Sequence, residues 1–100
     1  MTRDEVVRWL AGRRPEPPTA LRPHLEAALS DSDEPLPDQL ARAALAGLEQ
    51  VARGPGRGRE VAMALLAADA LVTYAFEAQA ARDVDDLAGL AERVAKGRSA

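Results

Sequence analysis

The sequence GREVAMALLAADALVTYAFEAQAA, residues 58–81, is the segment that decides the fold. In an α-helix, at about 100° per residue, Asp69, Thr73 and Glu77 make one narrow polar stripe, with Arg59 at its edge. Nearly all the other residues of the segment are Ala, Leu, Val, Met, Tyr or Phe. A helix that is apolar over most of its circumference belongs in the middle of a structure. The segment therefore predicts a long central helix.

The same segment does not favour a membrane span. Its longest apolar run, residues 61–76, is interrupted by Asp69. A spanning helix needs about 20 apolar residues, and a charge at its centre costs several kcal/mol. The first residues carry acids and no apolar stretch, which is not typical of a signal peptide. We therefore predict a cytoplasmic protein that does not bind membranes, and the bias toward Ala and Arg is typical of a GC-rich bacterial gene.

The rest of the chain predicts an all-α protein, because Ala, Leu, Arg and Glu dominate and strand formers are scarce. Its 100 residues suit a single helical domain, 1–100. We predict a small bundle of about five helices over residues 3–12, 19–29, 37–53, 58–81 and 83–96. Thr2 and Glu5 form a capping-box pattern, and Asp83 and Gly97 are the expected N-cap and stop of the last helix. Pro23 either starts the second helix or kinks it.

The spacing of apolar residues assigns a face to each shorter helix. The expected core-facing residues are Val6, Val7 and Leu10 in the first helix, Leu21, Leu25 and Leu29 in the second, Leu36, Leu40, Ala44, Leu48 and Val51 in the third, and Val84, Leu87, Leu90, Ala91 and Val94 in the last. The expected polar side of the third helix carries Gln39, Arg42, Glu49 and Gln50.

The central helix is about as long as a compact domain of this size is wide, so the other helices must cover its apolar surface over the whole length of the domain. At 1.5 Å per residue it is about 36 Å long, against a diameter of about 33 Å for a compact domain of this size. Either the four shorter helices cover it, or a second copy of the chain helps. The second alternative predicts a homodimer interface, for which the candidate residues are Val6, Trp9, Leu10, Ala67, Leu71 and Tyr74.

Composition argues against several classes of function. The chain has no Cys and one His, His24, so we expect no metal site, no cofactor and no catalytic triad. A net charge of −3 and an aromatic content of 3% argue against a nucleic-acid partner. Neither half of the chain forms a basic arm or an acidic tail. We therefore predict that the protein is not an enzyme.

A glycine-rich loop, residues 54–59, leads into the central helix and contains Arg57 and Arg59. Backbone N–H groups at a helix start favour an anion, and arginines add charge-assisted contacts. These two arginines, with Asp69 nearby, are the candidate binding residues. The alternative is that the glycines only connect two helices and that Asp69 lies on the solvent-facing stripe.

Together these patterns predict a non-catalytic helical protein that acts through protein–protein contact and self-associates. Two alternatives remain open from the sequence. One is an accessory subunit that binds a helix of another protein. The other is a small anion- or ligand-binding module that uses the loop 54–59.

Overall fold

The computed structural model describes residues 1–54 and 56–99, and these form helices and loops without any strand. The α-helices are α1 (Arg3–Ala11), α2 (Arg22–Ala27), α3 (Leu36–Arg53), α4 (Arg59–Asp83) and α5 (Leu87–Ser99). Short 3-10 helices, Thr19–Leu21 and Val84–Asp86, precede α2 and α5. The predicted all-α bundle with a long fourth helix is confirmed.

The start of α1 follows from its first residues. Glu5 N donates to Thr2 Oγ1 at 3.2 Å, and Thr2 N donates to Glu5 Oε1 at 2.8 Å. This reciprocal pair is the predicted capping box, and it satisfies N–H groups that have no acceptor inside the helix. The hydrogen bond from the Thr2 backbone also lowers the pKa of the Glu5 carboxyl below its ordinary value.

Pro23 starts α2 and does not kink it. The chain forms a 3-10 turn over Thr19–Leu21, and α2 then begins at Arg22 with the proline in its first turn. N–H groups in the first turn have no intrahelical acceptor, so the missing donor of proline costs nothing there.

The bundle is organised around α3 and α4, which form its most extensive helix pair. The 25 residues of α4 rise by about 37 Å, close to the longest extent of the molecule, 39 Å. Every α-helix contributes to the core, and α5 does so through the buried Leu90 and the partly buried Val94. The largest fully buried side chains are Leu25, Leu40, Leu71, Leu90, Val6 and Pro37. An ion pair between Arg93 Nε and Asp38 Oδ1, 3.0 Å apart, joins α5 to α3.

The prediction that Gln39 lies on the polar side of the third helix is wrong. Its side chain is buried, with 5% of the residue exposed. Its Nε2 donates to Met1 O and to Ser30 O, both at 2.9 Å. Met1 and the segment after α2 therefore meet over the start of α3 and cover Gln39. The helical spacing within α3 could not predict this burial, because the covering residues lie outside the helix.

The last helix also differs from the prediction. Asp83 Oδ1 accepts from Asp85 N at 3.1 Å and so caps a 3-10 turn, which leaves Val84 59% exposed and off the core-facing side. Ala91 is exposed as well. Gly97 does not end the helix, because α5 continues to Ser99. A Cβ at Gly97 would lie 2.8 Å from Leu45 Cδ1, so glycine there permits close packing of α5 on α3.

Candidate interaction surface

One side of α4 faces away from the core. Helical geometry places Arg59, Ala62, Leu66, Asp69, Ala70, Thr73 and Glu77 on this side, which we call the outer face of α4. All of these residues are exposed except Ala70, which is half-buried. The opposite side of the helix carries its buried residues, Ala67, Ala68, Leu71, Ala75, Ala78 and Gln79.

Two leucines in the first half of α4 are unusually exposed for their size. Leu65 is 43% exposed and Leu66 is 55% exposed. They lie about 100° apart around the helix, so only Leu66 belongs to the outer face. An exposed leucine by itself is ordinary. Here Leu66 continues into Ala70 one turn later and then Tyr74, which makes an apolar row along the helix.

The polar stripe predicted from the sequence is at the surface. Asp69, Thr73 and Glu77 are all exposed, and Thr73 Oγ1 donates to Asp69 O at 3.2 Å within the helix. The stripe flanks the apolar row and does not interrupt it. The outer face therefore combines an apolar row with charged residues toward both ends, Arg59 and Glu77.

A cluster of Trp9, Arg13 and Tyr74 borders the outer face. The rings of Trp9 and Tyr74 meet edge to face, with centroids 6.3 Å apart and planes at 88°. Arg13 Cζ lies 4.0 Å from the centroid of Trp9, a cation–π contact, and Arg13 Nε is buried without a hydrogen-bond partner among the described residues. Burial is the main cause that raises the pKa of the Tyr74 hydroxyl, and the nearby Glu77 carboxylate adds to it.

A groove of about 450 Å³ lies between α2, α3 and α4. Small and apolar residues line most of it, and the polar lining residues are His24, Gln50 and Glu60. The small and apolar lining residues are Ala27, Ala28, Ala43, Ala46, Gly47, Val51, Gly54, Gly56, Val61, Ala64, Ala67, Ala68 and Leu71. Within the described residues, no group of three His, Asp or Glu side chains is placed to hold a metal ion.

Four of the six predicted interface residues lie inside the single chain. The exposed fractions are 0% for Val6, 4% for Leu10, 3% for Ala67 and 0% for Leu71. Such residues cannot add area to a contact between two folded copies, so the prediction is corrected for these four. The apolar spacing identified them as a buried face, but it could not tell an internal partner from an external one. Trp9 and Tyr74 are only half-buried and keep an accessible edge.

The predicted binding residues do not form one site. Arg57 is exposed in the loop before α4, and Arg59 is exposed at the first position of that helix. Asp69 lies ten residues further on, about 15 Å along the axis. The glycines at 54 and 56 line the groove, but the two arginines do not. Pro55, part of the predicted loop, lies outside the described residues.

Sequence reasoning missed two features of this surface. One is the role of Leu66, which the pattern assigned only to a generally apolar helix. The other is the stacking of Arg13 on the Trp9 ring. Arg13 follows Trp9 by four residues near the end of α1, and this spacing was the signal that could have predicted the contact.

By length and composition alone, the helical stretch Arg59–Gly97 contains a segment apolar enough to cross a membrane. The mean hydropathy of that segment is 1.6, and the bundle buries 28% of it. The core helix of a soluble bundle has the same composition, so the expectation that the protein does not bind membranes stays a prediction. The low buried share agrees with the exposure of the outer face.

Fold and surface together define a small all-α bundle whose longest helix leaves an apolar row uncovered. The sequence matches no known family model, and neither a curated protein nor a solved structure matches the chain.

Proposed function

We propose that this protein is a non-catalytic interaction module that self-associates as a homodimer through the outer face of α4. The observation that carries the proposal is the 55% exposure of Leu66 in the first half of the longest and most apolar helix. Apolar area removed from water contributes about 25 cal/mol per Å². Covering this row would therefore stabilise a pair of chains.

The composition of the bordering residues supports a protein contact. Trp, Tyr and Arg are the residue types that most often dominate binding energy at interfaces. Trp9, Arg13 and Tyr74 meet at one edge of the outer face, with both rings half-buried and already held in place. Side chains held in position before binding lose little conformational entropy on association. Ala62 and Ala70 allow a second helix to approach closely.

The proposal is tested by the absolute mass from light scattering on a sizing column, over a wide concentration range. We expect a mass near twice 10.6 kDa for the unmodified chain. Leu66→Arg places a charge in the apolar row and should give a folded monomer whose melting temperature no longer depends on protein concentration. Leu65→Arg is the matched control, because Leu65 is similarly exposed but lies off the outer face. A monomer at all concentrations for the unmodified chain would overturn the proposal.

The groove between α2, α3 and α4 supports a second candidate, the binding of an apolar ligand or of a helix from another protein. Its volume of about 450 Å³ lies in the range of small-molecule sites, roughly 300–1,000 Å³. Ala64→Trp should fill it. An apolar fluorescent dye that binds the unmodified chain and not this variant would favour the second candidate, and equal binding to both would exclude the groove.

A further inference from the structure

We infer that the two copies pair through α4 in antiparallel orientation, with a two-fold axis at the level of residue 68, so that Arg59 of each copy faces the partner's Glu77. This inference rests on the proposed self-association and names its geometry. It follows from where charged, large and small residues lie along the outer face.

The charged residues set the register. Arg59 and Glu77 are eighteen residues apart, about five full turns, so they lie on one line along the helix. Residue 68 is midway between them. A two-fold axis at that level brings together residues equally far on either side of it, and so it places each arginine opposite a carboxylate of the other copy.

The same axis matches large side chains with small ones. Leu66 comes to the level of the partner's Ala70, and Ala70 to that of the partner's Leu66. Tyr74 and the partner's Ala62 also share a level, but they lie about 120° apart around the helix and so on opposite flanks of the contact. Because Leu66 of each copy meets an alanine of the other, the helices can pack closely at the centre of the contact.

Arg59 and Glu77 are exposed, and neither takes part in an ion pair among residues 1–54 and 56–99. Arg59 is also the first residue of α4, where the helix dipole disfavours a cation. An opposing carboxylate from a partner would offset this. Each pair lies about 13 Å from the axis, so both pairs form a polar rim outside the central Leu66 and Ala70, with Asp69 on one flank of that centre.

Parallel pairing gives the opposite result. It would set Arg59 against the partner's Arg59 and Glu77 against the partner's Glu77, so both rims would repel. It would also oppose the two Leu66 side chains and leave Ala70 against Ala70, with poorer filling of space. The charge order along α4 therefore favours the antiparallel pair.

The first test exchanges charges between copies. Arg59→Glu and Glu77→Arg, each alone, put like charges opposite each other in both pairs, so the dimer dissociation constant should rise by about tenfold at low salt. An equimolar mixture of the two variants should form a heterodimer with the dissociation constant of the unmodified dimer. The double variant R59E/E77R should form a homodimer with that same dissociation constant. Glu60→Arg is the matched control, because Glu60 is exposed at the same end of α4 but lines the groove side.

The second test measures distances between copies. The chain has no Cys, so Ala62→Cys and Ala80→Cys each give a single labelling position on an exposed part of α4. Spin labels in the dimer should lie about 20 Å apart at position 62 and about 37 Å apart at position 80, from a rise of 1.5 Å per residue. Parallel pairing would give similar short distances at both.

The outcomes separate this inference from the proposed function. A dimer whose affinity ignores both charge reversals, or whose label distances are short at both positions, overturns the antiparallel register and leaves self-association intact. A chain that stays monomeric overturns the proposed function and this inference together.

Discussion

Gln39 and Met1 are joined by two hydrogen bonds at the start of α3. Gln39 Nε2 donates to Met1 O at 2.9 Å, and the Met1 amino group donates to Gln39 Oε1 at 3.3 Å. The Met1 amino group also donates to Ser32 O at 2.8 Å. One buried amide thus satisfies backbone groups from two separate segments and sets where α1 begins relative to α3.

Replacing Gln39 tests that role. Gln39→Ala removes the donor of Ser30 O and one of the two donors of Met1 O, which still accepts from Ser32 N at 3.1 Å. Two lost hydrogen bonds, at about 0.5–1.5 kcal/mol each, cost about 1–3 kcal/mol. We expect the free energy of unfolding in urea to fall by about that amount. Gln50→Ala, an exposed position on the same helix, should change it little. Equal effects of the two substitutions would contradict the assignment.

The division of α4 into a buried and an exposed side predicts a contrast between two leucines. Leu71→Ala removes a side chain that is 0% exposed and should cost about 2–5 kcal/mol, while Leu66→Ala should stay within about 0.5 kcal/mol for the monomer. Chemical denaturation at low protein concentration measures both without a contribution from association. Comparable losses would mean that Leu66 is part of the core.

The start of α4 depends on the backbone of Gly58. Its φ is +82°, and nothing lies within 4 Å of where a Cβ would stand, so a substitution there meets strain and not crowding. We expect Gly58→Ala to destabilise the protein by about 1 kcal/mol. Gly12, which caps α1 with a φ of −83°, is the control, and Gly12→Ala should be neutral or slightly stabilising. The melting temperatures of both variants test this. A Gly58→Ala variant as stable as the unmodified protein would contradict the left-handed backbone at this position.

The capping box makes stability depend on pH. The pKa of Glu5 is lowered in the folded protein by hydrogen bonds from Thr2, so its stabilising effect is fully present above its ordinary pKa of 4.5. The effect is lost as the pH falls through the lowered value. Glu5→Gln removes this ionisation. The difference in melting temperature between the two proteins should therefore be largest near neutral pH and shrink toward about pH 3, whereas a constant difference would contradict the role of the charge.

In the antiparallel pair, the charge of Asp69 should weaken the dimer. Asp69 lies close to the two-fold axis on one flank, so the two copies of its carboxylate come within about 8 Å, a distance that salt screens only in part. Asp69→Asn should tighten the dimer by about twofold, more at low salt, and Asp69→Glu should leave it unchanged. Sedimentation at several salt concentrations measures this, and a weaker Asp69→Asn dimer would contradict the register.

Local patterns predicted the elements of this fold well. The capping box of Thr2 and Glu5, the stop of α3 at Arg53 and the apolar run of α4 each depend on residues within a few positions of one another. Helical periodicity and capping act over that range. One error falls where a distant segment intervenes, because Gly97 packs on Leu45 instead of ending a helix. Another is local: Asp83 accepts from Asp85 N, and the resulting 3-10 turn leaves Val84 exposed.

The candidate surface was harder to predict than the fold. Periodicity identifies which residues avoid water, but it does not say whether the same chain or another one covers them. Val6 and Leu71 carry the same pattern as an interface residue and are covered by the chain's own helices. Leu66 carries it too and is left exposed. The difference depends on which parts of the circumference of α4 the other helices cover.

By itself, the amino-acid sequence determined the helical class, most helix ends and the narrow polar stripe on α4, because these depend on interactions between residues near in the chain. Only the tertiary structure decided that Gln39 is buried, that Trp9 meets Tyr74, and which side of α4 stays exposed. Those features join residues far apart in sequence. They arise when packed helices compete for a limited apolar surface, and no local pattern encodes the result of that competition.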